Sequence, residues 1–130
     1  MRAKFDFLRT VLVLDAATCL ATGGLMTAGA SLLSSLTRIP EGILWLAGLS
    51  LFPVAAFIAV VAFRRPPARP GVWLVILGNA AWVVGSLILL FAGGIAPNTL
   101  GLGFILVQAV AVAVLAELEL VGLRRMPLTA

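Results

Sequence analysis

Histidine and tyrosine are absent from this 130-residue chain, and cysteine occurs once. The first two absences remove the usual haem ligand, the common zinc ligand and the most frequent general base. Bis-histidine haem, zinc catalysis and serine–histidine chemistry are thereby excluded. A lone cysteine, Cys19, excludes an intrachain disulfide, and its place inside an apolar stretch reads as a buried thiol. Charge is scarce too: 11% of the residues are charged against 62% hydrophobic, where soluble domains carry roughly 25% and 45–50%. A composition so poor in charge does not suit a soluble globular protein.

What the chain has is four long apolar stretches, Val11 to Leu36, Gly42 to Phe63, Val72 to Phe91 and Leu100 to Val121. Each reaches the roughly 20 residues that a helix needs to cross a bilayer core. They are continuously apolar and about twice the length of a tilted membrane strand, so helices are expected rather than a barrel. Only a short head, three short connectors and a short tail lie outside them, none able to bury a core of its own. The expected fold is an all-α integral membrane protein, a single four-helix transmembrane domain over residues 1–130. Pro40, the three prolines within Arg64 to Pro70, and Gly93, Gly94 and Pro97 mark the breaks. Connectors this short predict sequential antiparallel neighbours in an up-down-up-down bundle.

Basic residues fall into alternate gaps. Arg2, Lys4 and Arg9 precede the first span, Arg64, Arg65 and Arg69 separate the second from the third, and Arg124 and Arg125 follow the fourth. The other two connectors offer only Arg38, beside Glu41. The positive-inside rule predicts both termini and the RRPPARP loop in the cytoplasm, in a plasma (inner) membrane of bacterial type. The formal charge of +4 is scattered over short segments and matches topogenic charge, so no nucleic-acid partner is expected. Asp15 inside the would-be apolar region of a signal peptide argues against cleavage of the first span.

Helix association in lipid depends on close backbone approach and on interhelical hydrogen bonds. Small residues predict the seams: Gly78, Ala81 and Gly85 in the third span against Ala109, Ala113 and Ala116 in the fourth, Gly23 to Thr27 and Ala30 to Ser34 in the first, and Ala55, Ala59 and Ala62 in the second. Pro53, near the middle of the second span, predicts a kink.

Polar residues within the spans are the candidate site. Asp15, with Thr18 and Thr22 at i+3 and i+7, forms a stripe that would suit a proton or cation path, because an intramembrane carboxyl costs on the order of 3 kcal/mol and faces the bundle or a cavity. Counted from Val11, it lies about 7–8 Å deep. Asn79, Trp82 and Ser86 make a second stripe, and Gln108 sits near the middle of the fourth span. Glu117 and Glu119 point in nearly opposite directions, with Glu119 on the face of Gln108. Glu117 is the one counted at the depth of Asp15, and a shared proton or cation between those two follows if spans one and four touch.

No catalytic, cofactor or metal site is expected, and an enzyme would have to be assembled from carboxylates, amides and backbone alone. The leading expectation is a non-enzymatic accessory, assembly or interaction subunit, partnered by the lipid bilayer and by copies of itself or another membrane protein. The alternative is a small proton-linked transporter or permease using Asp15.

Overall fold

The computed structural model describes residues 2–126, with side chains from Asp6 onward. Arg2 and Lys4 of the basic head therefore enter through the sequence alone. The described chain is all-helical: α1 Arg2–Ala28, α2 Ala30–Thr37, α3 Glu41–Phe63, α4 Arg69–Ala92 and α5 Thr99–Arg125. Four of these helices are long and apolar enough to cross a membrane.

The first stretch differs from its expected bounds. Its helix begins at Arg2 rather than near Val11, because the basic head is made of good helix formers and holds no glycine or proline. It is also divided at Gly29. Hydrogen bonding passes through the division, with Gly29 N–H donating to the Leu25 carbonyl at 2.8 Å and Leu33 N–H to the Gly29 carbonyl at 2.8 Å. A Cβ at Gly29 would stand 2.7 Å from the Leu25 carbonyl oxygen, so this turn is open to glycine and closed to a side chain. The second span continues as helix past Pro53 to Phe63.

The helices pack as two hairpins. In the first, α1 runs antiparallel to α3: the Arg9 guanidinium donates to the Ala62 carbonyl at 2.8 Å and to the Arg64 carbonyl at 3.1 Å. Further along, Gly23 faces Gly48, where a Cβ would lie 2.9 Å from the Gly48 carbonyl oxygen. Small residues thus bring these two backbones together, Gly23 and Thr27 from the expected stripe of the first span and Gly48 from outside the expected Ala55, Ala59 and Ala62 of the second. In the second hairpin, α4 runs antiparallel to α5, and Arg69 donates to the Leu123 carbonyl at 3.3 Å. Arginines at this end thus meet carbonyls near the C-termini of α3 and α5, the Leu123 carbonyl also accepting from Met126 N–H at 3.1 Å.

The hairpins meet through α1 and α5 and through α2 and α5. Leu8 packs on Gly122 at the arginine-rich end. At the opposite end Asn98 fastens the two: its N–H donates to the Thr37 carbonyl at 3.1 Å, its Nδ2 to the Leu36 carbonyl at 2.8 Å, and its Oδ1 accepts from Gly101 N–H at 2.9 Å, capping α5.

Two expectations about packing change. Joined by a short connector, α3 and α4 nevertheless make the least contact of the packed helix pairs; Gly71 sits against Val61 beside that connector. A short connector ties helix ends together and leaves their lengths free to lean on other partners. The ridge Gly78, Ala81 and Gly85 is exposed, and a Cβ at Gly78 or Gly85 would meet nothing within 4 Å. The same helix turns Asn79, Trp82 and Ser86 inward instead, because polar groups in an apolar medium gain more from a partner than methylenes do.

Candidate functional site

Between the hairpins lies a buried polar cluster built from three helices. Asp15 of α1, Asn79 of α4 and Glu119 of α5 are 2%, 7% and 0% exposed. Asn79 Nδ2 donates to Asp15 Oδ2 at 2.8 Å and to Glu119 Oε1 at 2.8 Å. One amide nitrogen therefore holds a carboxyl oxygen from each side. Cys19 Sγ, one turn along α1, faces Asp15 Oδ1 at 3.7 Å as a weak donor. The orientation of the Asn79 amide follows from its neighbours, since the nitrogen carries two hydrogens and can serve a carboxyl oxygen on each side.

Counting donors exposes an imbalance. Asp15 Oδ1 has the thiol, and Asp15 Oδ2 and Glu119 Oε1 have the two amide hydrogens. Glu119 Oε2 is buried and has no hydrogen-bond partner among the described residues. An orphaned carboxyl oxygen costs free energy unless something supplies a hydrogen.

Asp15 lies six residues past Arg9, the last basic residue before the apolar stretch of α1, about 9 Å along the helix axis at the usual rise. Glu119 lies six residues before the end of α5, about 9 Å along its axis.

A second polar group sits farther from the arginines. Trp82 Nε1 donates to Gln108 Oε1 at 2.7 Å, and Gln108 Nε2 donates to Ser86 Oγ at 3.0 Å and to the Ile105 carbonyl at 2.8 Å. These bonds tie α4 to α5 inside the second hairpin.

Of the residues singled out from the sequence, Asp15, Thr18, Thr22, Trp82 and Gln108 come together around one cavity of about 150 Å³. Thr18 donates back to the Leu14 carbonyl at 2.7 Å, so its hydroxyl is occupied by its own helix. Asn79 borders a separate cavity of about 340 Å³ between α3 and α4, and Cys19, Leu51, Trp82 and Val112 belong to the walls of both. Glu117 stands apart: it is exposed, and Glu119 takes the position beside Asp15. The signal that favoured Glu119 was its shared face with Gln108, which is also turned inward. Cys19 joins the cluster through its i+4 spacing from Asp15. Among the described residues, no group of three or more His, Cys, Asp or Glu is placed to hold a metal ion.

Compared with known proteins, the chain matches no family model, no curated protein and no solved structure. Its chemistry is therefore read from the site itself.

Proposed function

We propose that this chain is a small, non-enzymatic, proton-linked membrane transporter, with both ends and the arginine-rich connector on the cytoplasmic side of a bacterial-type inner membrane. The observation that carries the reading is Glu119 Oε2, buried without a donor beside a second carboxyl. One proton on the Asp15–Glu119 pair supplies the missing hydrogen and removes one of two buried charges, which a low-dielectric site disfavours strongly. A proton held where two hairpins meet is placed to couple its own exchange to their relative position. The cavity bordered by Asp15, Thr18 and Thr22 is the space through which water reaches the pair. Orientation rests on the arginines, which gather at the end where α1 and α4 begin and α3 and α5 finish.

The test is infrared difference spectroscopy of the ligand-free protein in bilayers, titrated from mildly acid to mildly alkaline pH. A protonated-carboxyl C=O band is expected that vanishes in Glu119→Gln or Asp15→Asn, and a wild-type spectrum without such a band removes the proton site.

A second reading, an accessory or assembly subunit, is favoured by the exposed ridge Gly78, Ala81 and Gly85, which offers another membrane helix a close approach. Stable copurification with one partner and no titrating carboxyl band would select it.

A further inference from the structure

We propose that the cavity between α3 and α4 binds a neutral lipophile carrying one hydroxyl, taken sideways from the acyl-chain layer, with the hydroxyl donating to Asn79 Oδ1. Such a compound would be the substrate of the transporter proposed above, and for that role the inference rests on the proton-linked reading. Above their connector α3 and α4 hardly touch, and the cavity opens between them near the middle of both spans. Phe57, Leu74 and Gly78 at its mouth are exposed, whereas Cys19, Leu51 and Val75 behind them are buried. Its volume of about 340 Å³ is at the lower end of small-molecule pockets.

The polar atoms in the wall select the occupant. Asn79, itself 7% exposed, spends both amide hydrogens on Asp15 and Glu119, and its Oδ1 accepts no hydrogen bond among the described residues. Of the side-chain oxygens and nitrogens of those residues, Glu119 Oε2 alone is both unpartnered and sealed on every side. The Asn79 oxygen therefore faces open space, and the space that Asn79 borders is this cavity rather than the one beside Asp15. The other polar hydrogens in the wall are already engaged, the Trp82 indole N–H by Gln108 and the Cys19 thiol by Asp15. Among the described residues, no acidic or basic side chain borders the cavity. The wall thus presents one free acceptor, no free donor and no charge. An ion of either sign would lose its water there without gaining a counter-charge. A ketone or an ether would bring an acceptor to an acceptor. A hydrocarbon leaves the amide oxygen unpaired, and a neutral hydroxyl satisfies it.

The test varies the ligand, because Asn79 also holds the carboxyl cluster together. Equilibrium dialysis of radiolabelled 4-hexylphenol against the full chain in an uncharged detergent, with empty micelles as blank, should show saturable binding. Its methyl ether, 4-hexylanisole, keeps the shape and loses the donor, and should bind about fivefold more weakly, the scale of one hydrogen bond. Gly78→Phe should weaken phenol binding to a similar degree by narrowing the mouth, while leaving the melting temperature in place, since a Cβ there meets nothing within 4 Å. Infrared difference spectra of protein isotopically labelled at the asparagine side-chain carbonyls read the contact itself. The phenol should move the Asn79 C=O band to lower frequency and the ether should not, while Asn98, the other asparagine, keeps its partners throughout. Equal binding of phenol and ether would make the cavity a general lipid-tail pocket and overturn the proposal, as would unchanged binding in Gly78→Phe or an unmoved asparagine band. A titrating carboxyl band without phenol binding rejects the ligand class and keeps the proton site. Phenol binding without that band keeps the ligand site and rejects the proton-linked reading.

Discussion

Asn79 is the residue on which the buried cluster depends, because one amide nitrogen serves two carboxyls from two different helices. Replacing it with alanine leaves three carboxyl oxygens without donors instead of one, and breaking such a buried network costs about 3–5 kcal/mol. Asn79→Ala should therefore lower the melting temperature in detergent more than any other single polar change in the core. Glu119→Gln keeps the shape and removes a charge that the site already leaves half-satisfied, so it should stay within about 1 kcal/mol of wild type. Glu117→Gln should leave both the melting temperature and the carboxyl band as they are, since Glu117 is exposed. Thermal unfolding and the carboxyl band of the three variants decide this, and a band that persists in Glu119→Gln or is lost in Glu117→Gln would remove the special place given to Glu119. Two glutamates two residues apart differ here only in the direction they face, and the sequence made that difference visible through the spacing of Glu119 from Gln108. Depth counting alone favoured Glu117.

At the scale of elements, two kinds of seam coexist. The α1–α3 seam is one of close backbone approach: a Cβ at Gly48 would stand 2.9 Å from Met26 Cβ and 2.9 Å from Thr27 Cγ2. Gly48→Ala should destabilise the protein by about 1–3 kcal/mol, as overpacking does, whereas Gly85→Ala should be neutral or slightly favourable because its Cβ enters open space. Denaturant titration in mixed micelles measures both, and a harmless Gly48→Ala would contradict the seam. The α4–α5 seam is polar, carried by Asn79, Trp82, Ser86 and Gln108. Small residues and polar residues follow the same i, i+3, i+7 spacing on α4. Spacing by itself therefore does not tell which stripe faces inward, and the hydrogen bonds available on α5 settle it. Helix lengths were legible to within a few residues for the second and third spans. At the first span, apolar continuity marked the greasy part and passed over a basic head that also coils into helix.

For the whole molecule, the arrangement is two tight hairpins with a looser junction, fastened by Asp15, Asn79 and Glu119 toward one end and by Asn98 at the other. Four long helices of alternating direction bring the start of α1 and the end of α5 to the same end of the bundle. Reporter fusions at either terminus and in the Arg64–Pro70 connector should therefore score cytoplasmic, and fusions in the 93–98 connector should score on the far side. Termini that report from opposite faces would end the four-span reading. The amino-acid sequence by itself determined that there are four long apolar helices, roughly where they stop, and at which end the arginines collect, because hydropathy, proline and charge act locally along the chain. Only the tertiary structure decided how each helix is rotated and which neighbours it keeps. An almost uniformly apolar helix in lipid has no wet face to fix its rotation, so the choice falls to the few buried hydrogen bonds that helices make with one another.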